Sequence, residues 1–124
     1  MPLSDTVRNS LLNALCRNTS YANAAVWVQL HLGDPGAAGT SNLAGNTTRQ
    51  QATFGTVASG GAISNTVAVA WTSVSNSETY SYASLWTAST AGSFLGSAAL
   101  TQAKVVNAGD NFSLPVGDLD VTIA

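Results

Sequence analysis

Apolar residues recur at every second position in short segments along most of this chain, and this period of two limits the choice of folds more than any other property of the sequence. In the clearest segment, four apolar residues alternate with three residues that point the other way: Val26, Val28, Leu30 and Leu32 against Trp27, Gln29 and His31. Successive side chains of a β-strand point to opposite sides, so this alternation predicts a strand.

Further segments of the same kind follow, separated by turns rich in Gly, Asn, Asp and Ser. Strands are predicted at 26–32, 50–57, 63–71, 80–86, 94–100, 104–106, 112–114 and 119–123. Residues 37–48 are rich in Gly, Asn, Ser and Thr, which predicts a long surface loop. About eight short strands without intervening helices predict a mainly β fold, either an antiparallel β-sandwich or a jelly-roll-like domain.

The first twenty residues have a different period. Their apolar stripe recurs at helical spacing and consists of Leu3, Val7, Leu11 and Leu15. With Ser4 or Thr6 as the N-cap, this predicts an α-helix at about 4–17. The stripe must pack either on the chain's own sheet or on a neighbouring subunit, and both alternatives stay open. We expect residues 1–20 to form an N-terminal helical arm and 21–124 a single β-sandwich domain.

Charged residues make up 8% of the 124-residue chain, with four Lys or Arg, six Asp or Glu and a net charge of −2. An average soluble domain contains about 25% charged residues. The deficit excludes a basic surface for nucleic acid or anionic lipid, and a hydrophobic content of 45% argues against disorder. No apolar run has the roughly 20 residues of a membrane span. We expect neither nucleic acid nor a membrane as a partner.

The N-terminal residues lack the basic region and apolar stretch of a signal peptide, so we expect the chain to fold in the cytoplasm. Its single cysteine, Cys16, cannot form an internal disulfide bond. Since Cys16 lies near the apolar stripe of the helix, we expect it to be buried and inert.

Few residues in the chain are suited to catalysis. His31 is the single histidine, and we expect it on the less buried face of its strand, without a catalytic role. Asp118 and Asp120 alternate with apolar residues, which predicts a solvated strand face. The alternative is a Ca²⁺ site to which Asp110, Asp118 and Asp120 contribute. We therefore expect no catalytic residue, no metal and no cofactor.

The aromatic residues are expected in the core or in a subunit interface, with stacking on carbohydrate as the alternative. The larger ones are Trp27, Trp71, Trp86 and Phe94.

Several stretches, taken in order, carry a resemblance to a known family. They are WVQLHLGDPG at 27–36, TRQ at 48–50, Trp71, SLW at 84–86, FLG at 94–96, NAGD at 107–110 and GDLDV at 117–121. This succession resembles a family of small virion proteins of actinobacterial tailed phages. Its members are variously labelled tail fibre, minor tail, or head decoration and minor capsid proteins. The resemblance implies a structural virion component and not an enzyme.

Our first expectation is a capsid decoration or minor capsid protein that binds the capsid lattice and stabilises the head, because charge depletion suits a domain packed among neighbours. Its partners would be the major capsid protein and copies of itself, with a trimer matching a threefold position. It would be made in the host bacterial cytoplasm and reside in the virion. The capsid surface is our first expectation for its location and the tail our second.

The alternative is a tail fibre or minor tail protein that contacts the host surface. A carbohydrate or another envelope ligand would then bind at an aromatic-lined patch or at the 33–48 loop. A small glycan-active enzyme ranks third. For contact with a partner, the candidates are the helix residues Val7, Leu11 and Leu15, followed by Trp27 and His31.

Overall fold

The computed structural model describes residues 3–55 and 60–122. In these ranges the chain forms one helix and eight strands, in this order: α1 (Asp5–Cys16), β1 (Val26–His31), β2 (Gln50–Ala52), β3 (Ala62–Ser64), β4 (Val69–Trp71), β5 (Glu78–Trp86), β6 (Phe94–Val106), β7 (Phe112–Leu114) and β8 (Asp120–Thr122). All the strand pairs are antiparallel. The prediction of a mainly β, antiparallel fold with one N-terminal helix is confirmed.

The largest sheet has four strands in the order β2-β1-β5-β6, and two smaller sheets pair β3 with β8 and β4 with β7. The hydrophobic core combines residues from the four-stranded sheet with residues from the β4-β7 pair and the loops. Its largest fully buried side chains include Trp71, Tyr80, Leu30 and Leu85. The rings of Trp71 and Phe112 pack with their centroids 5.7 Å apart, which confirms a core position for Trp71.

The N-terminal helix packs on this core. Val7 belongs to the buried cluster, and Leu3 and Leu11 pack against it. Ser4 caps the helix, because its side chain accepts the N–H of Val7. The backbone N–H of Ser4 also donates to the carbonyl of Leu95 at 2.7 Å, which fixes the start of α1 to β6. Of the two alternatives for the stripe, the structure shows packing on the chain's own core. The domain boundary at residue 20 stays a prediction.

One expectation for the helix is wrong, because Cys16 is exposed instead of buried. Leu15 is 82% exposed, so this residue of the stripe does not pack on the chain's own core. At about 100° per residue, Leu15 is rotated roughly 80° away from Val7 and Cys16 roughly 180°. The apolar stripe is therefore buried only at its N-terminal end.

Within residues 3–55 and 60–122, no helix is long and apolar enough to span a membrane.

The segment predicted as one strand at 63–71 is two strands in different sheets. Asn65 separates them, and its side chain is buried. The Asn65 amide donates to the carbonyls of Val67 and Pro115 and accepts the N–H of Leu119. Because the amide bonds the backbone of two segments, it turns the chain between β3 and β4. The sequence pattern predicts Ile63, Val67, Val69 and Trp71 on one apolar face of a single strand, but with the chain turned here Val67 is 55% exposed.

Conversely, the segments predicted at 94–100 and 104–106 form one 13-residue strand, β6. Its pairing with β5 shifts between Tyr80 and Tyr82. Before this shift, Tyr80 is the apolar residue of β5 that is buried, and after it Ala83 and Leu85 are buried, an odd number of positions away. Strict alternation in the sequence predicts Tyr80, Tyr82, Ser84 and Trp86 on one face and Ala83 and Leu85 on the other. This is wrong for Tyr80, which lies in the core cluster with Ala83 and Leu85, because the irregularity changes which side faces the core.

The other predicted elements are largely as expected, with β1, β7 and the loop after β1 close to their predicted limits. The strand predicted at 50–57 is confined to β2, followed by an isolated bridge between Phe54 and Asn65. Its end at Val57, the turn residue Ser59 and the final strand residue Ile123 lie outside the described residues.

Candidate functional site

One face of the four-stranded sheet carries polar and aromatic side chains. On this face, which we call the polar face, β1 residues lie opposite β5 residues in register: Trp27 with Trp86, Gln29 with Ser84, and His31 with Tyr82. Residues 33–48, here called the 33–48 loop, follow β1 beyond its His31 end, whereas the turn at 87–93 follows β5 at the opposite end of this pair, beyond Trp86.

His31 and Ser84 form the buried centre of the polar face, and neither has any solvent-exposed surface. The Nδ1 atom of His31 lies 2.9 Å from the carbonyl oxygen of Ser41. A carbonyl oxygen only accepts, so Nδ1 carries the proton. The Nε2 atom then accepts the hydroxyl proton of Ser84, whose Oγ lies 2.7 Å away. The indole N–H of Trp86 donates to the same Oγ at 2.7 Å.

This network corrects the expectation for His31, which was placed on the less buried face of its strand. The 33–48 loop covers the histidine, so alternation along the strand does not report its burial. Burial lowers the pKa of His31 below 6.5, and the positive charge of Arg49 acts in the same direction, against the carbonyls of Ser41 and Asn42. The imidazole is therefore neutral at pH 7.

Arg49 ties β1 and β5 to the turn at 87–93. Its guanidinium lies over the ring of Trp86, 4.3 Å from the centroid. The Nε–H donates to the side chain of Gln29, and Nη1 donates to the carbonyls of Ala88 and Ala91. Burial lowers the pKa of Arg49 from its usual value, but arginine remains charged near neutral pH. One side chain thus holds β1, β5 and the turn together.

The 33–48 loop is attached to the sheet at two places in its second half. Near its middle, the N–H of Leu32 donates to Asn42 and the N–H of Ala44 donates to Leu30, at 2.8 and 3.2 Å. At its C-terminal end, the carboxylate of Glu78 accepts the N–H groups of two successive loop residues, Gly45 and Asn46. These bonds extend the pairing of β1 beyond β2 and hold the loop beside His31.

An open groove of about 630 Å³ lies where the loop meets the start of α1. The helix contributes Ser4, Asp5, Thr6 and Arg8, the loop contributes residues 36–38, and β6 with the residue before it contributes Ser93, Phe94 and Ser97. Asp5 and Arg8 form an exposed ion pair at its rim. The groove therefore offers hydroxyl, carboxylate and guanidinium groups beside an aromatic ring, a combination suited to a polar ligand such as a carbohydrate.

The structure thus brings together two features that were predicted as alternatives for ligand binding, the 33–48 loop and an aromatic patch. Trp86 and Phe94 pack with their ring centroids 5.5 Å apart beneath the loop. Trp86 is largely buried and Phe94 half-buried, so their main role is to support the groove from below.

A serine hydroxyl in contact with a histidine is also the start of a nucleophilic dyad. Here the Ser84 oxygen and the imidazole are both inaccessible to solvent, and the Ser84 oxygen already accepts the indole N–H of Trp86. The pair cannot reach a substrate in this arrangement, and its geometry serves to hold the loop.

The five residues predicted as assembly contacts lie at different depths. Val7 is 5% exposed and His31 fully buried, Leu11 and Trp27 are half-buried, and Leu15 is 82% exposed. Their role in assembly stays a prediction. Among them, Leu15 offers most of its side chain to a partner.

The aspartates considered for Ca²⁺ are separate from this site. Asp118 accepts a hydrogen bond from Thr101, and Asp120 accepts one from Ser64. Both aspartates are exposed on either side of the buried Leu119, as the alternation predicts. Within the described ranges, no three His, Cys, Asp or Glu residues lie close enough to hold a metal ion.

Sequence reasoning assigned no role to Arg49, Glu78 or Ser84. A signal was present for the first two, because each charged residue is conspicuous in a chain with so few of them. Ser84 gave no signal, since serine is common here and its importance depends on a partner 53 positions away in sequence.

Comparison with protein families gives a match over most of the chain. The model of the family Gp80, described as podophage GP4 fiber I protein gp80, matches residues 2–122. No curated protein matches the chain.

Proposed function

The chain belongs to the Gp80 family, described as podophage GP4 fiber I protein gp80, and from this premise we propose that it is a tail-fibre component of the phage particle. The expectation of a phage structural virion protein is confirmed at the level of the family. Capsid decoration was our first expectation, and the family description favours the tail-fibre alternative.

The observation that carries the proposal is the extent of the match, which runs through the helix, both ends of the polar face and all eight described strands. The likeness therefore concerns the whole domain and not a single motif. A structural role without catalysis is part of the same proposal, and it agrees with the inaccessible position of Ser84 and His31. The proposed partners are neighbouring virion proteins and copies of this chain.

For a fibre component, the groove beside the 33–48 loop is the proposed contact surface for the host envelope. Its polar side chains come from two parts of the chain, the start of α1 and the start of β6, and these parts are tied together, because Ser4 donates its backbone N–H to Leu95 and its hydroxyl to the carbonyl of Phe94. Groups held in this way lose less conformational entropy when a ligand binds. A carbohydrate is the ligand class that fits their hydroxyl, charged and aromatic character.

The location of the protein in intact particles tests the main proposal. Purified phage would be labelled with gold-conjugated antibodies raised against the chain and viewed by electron microscopy. We expect label at the tail end only, and a copy number by quantitative mass spectrometry close to that of other tail proteins. Antibodies against the major capsid protein provide the matched control for head labelling. Label distributed over the capsid, with a copy number near that of the capsid subunits, would overturn the proposal in favour of decoration.

A further inference from the structure

The 33–48 loop lies against the sheet at a position where a single titratable side chain links the two. His31 projects from β1, donates to the carbonyl of Ser41 within the loop and accepts from Ser84 on β5. An isolated bridge between His31 and Leu43 lies at the same place. The imidazole therefore connects the loop and the sheet through its two nitrogens.

Each hydrogen in this network has one direction. Trp86 donates to Ser84, Ser84 donates to His31, and His31 donates to the carbonyl of Ser41. The carbonyl and the indole N–H fix the two ends, because the first only accepts and the second only donates. The network is complete only when the imidazole carries one proton.

A second proton on His31 disturbs this order. It would lie on Nε2 and point at the Ser84 oxygen, so the Ser84 hydroxyl would lose its acceptor. It would also place a positive charge where His31 and Ser84 have no exposed surface. The neighbouring groups add little to balance this charge. Arg49 is itself cationic, and the cross-strand neighbour on β5, Tyr82, is a phenol, which carries no negative charge near neutral pH.

We propose that His31 is a proton-operated latch, which holds the 33–48 loop on the sheet while it is neutral and releases the loop when it is protonated. Two carboxylates also bond to the loop: Asp34 accepts the N–H of Gly36 within the loop, and Glu78 of β5 accepts those of Gly45 and Asn46. Histidine is the side chain whose charge changes between about pH 5.5 and 7.5, so in that range the latch acts through His31.

The direction of the pH effect follows from the two states of the loop. In the closed state the pKa of His31 is lowered by burial, and in the open state it returns to about 6.5. Below that pH the open state binds more protons, so acid favours opening. Closure is thus strongest above about pH 6.5 and weakens as the pH falls toward the lowered pKa of the closed state.

Release of the loop would change the groove, because residues 36–38 form one of its walls. The latch itself stands on the contacts of His31, whereas this consequence for ligand contact rests on the proposed function. The latch can therefore be tested separately from the proposed host contact, and failure of one does not imply failure of the other.

Hydrogen exchange of the wild-type chain tests the latch directly. The amides of Leu32 and Ala44 bond across the junction of loop and sheet. We expect their protection factors, corrected for intrinsic exchange rates, to fall by up to about tenfold between about pH 7.5 and pH 5.5. Amides between β5 and β6 are the internal control, and their protection should change much less. A change of less than about twofold at Leu32 and Ala44 would overturn the proposal.

The His31→Gln variant separates titration from packing. Its side-chain amide can still bond to Ser84 but does not titrate, so we expect the protection of the same amides to become independent of pH. An unchanged pH dependence in this variant would contradict the latch. Where the variant does not fold, the ring protons of His31 in the wild type decide by NMR titration. A pKa below 6.5 supports the proposal, and a value at or above 6.5 overturns it.

Discussion

Among the glycines of the 33–48 loop, Gly39 is the one whose replacement the structure tolerates least. Its φ angle is +74°, a conformation that favours glycine. A Cβ atom at this position would also lie 2.4 Å from Cδ1 of Phe94. Backbone conformation and packing therefore demand glycine independently, and they bring the loop into close contact with the aromatic support of the groove.

We expect Gly39→Ala to lower the free energy of unfolding by about 2 kcal/mol or more, because it combines an unfavourable φ with a steric clash. Gly109→Ala is the matched control, since its φ is +92° and nothing lies within 4 Å of the added Cβ. That variant should lose only the backbone contribution, about 1 kcal/mol. Urea denaturation measures both, and equal losses would show that the contact with Phe94 does not matter.

Single residues also mark where sequence reasoning succeeded and failed. Ser4 and Thr6 were the two predicted N-cap candidates, and Ser4 caps α1. This was within reach of the sequence because capping depends on residues three positions apart. The burial of His31 and the link from Arg49 to Trp86 were not predictable. Both depend on segments that approach in space from distant parts of the chain.

At the level of elements, the two halves of α1 have different roles. Val7 is 5% exposed and part of the core, whereas Leu12 and Leu15 are 58% and 82% exposed. The N-terminal half of the helix therefore stabilises the domain, and the C-terminal half presents apolar side chains to the surroundings.

We expect Val7→Ala to reduce the free energy of unfolding by about 2 kcal/mol, because it leaves a cavity in the core. Leu15→Ala should change it by no more than about 0.5 kcal/mol. If Leu15 contacts a partner, as predicted, the second variant should associate more weakly in size-exclusion chromatography with light scattering while its fold is intact. Similar losses of stability in both variants would mean that the helix packs differently.

The limits of a strand were predicted well where neighbouring residues in the sequence determine them, and poorly where distant residues do. β1 and β7 were predicted closely, because alternation and neighbouring turn residues suffice for them. The division between β3 and β4 was missed. It results from the buried amide of Asn65, which bonds to Pro115 and Leu119, about fifty positions away in sequence.

At the level of the whole molecule, the shortage of charge makes each charged group informative. Arg8 lies at the rim of the groove, paired with Asp5. Lys104 is exposed near the opposite end of β6, opposite Tyr80 on β5 and far along the sheet from Phe94. The two residues carry the same charge at different ends of the domain, and they form a natural pair for testing which end contacts the host.

We expect the isolated chain to compete with phage for adsorption to host cells. Arg8→Gln should weaken this competition several-fold, because exposed ion pairs add little to stability but can contribute to ligand contact. Lys104→Gln, which removes the same charge, should compete like the wild type. Equal effects of both substitutions would indicate that net charge, and not the groove, determines adsorption.

The sequence by itself determined the fold class, the helix, most of the strand positions and the relation to a phage virion protein family, since these depend on periodicity, capping and the order of short motifs. Only the tertiary structure decided which residues form the site. Burial of His31 under the loop, the clamp of Glu78 on Gly45 and the position of Arg49 over Trp86 join segments that are distant along the chain. Periodicity reports which way a side chain points, and the packing of other segments decides what it meets there.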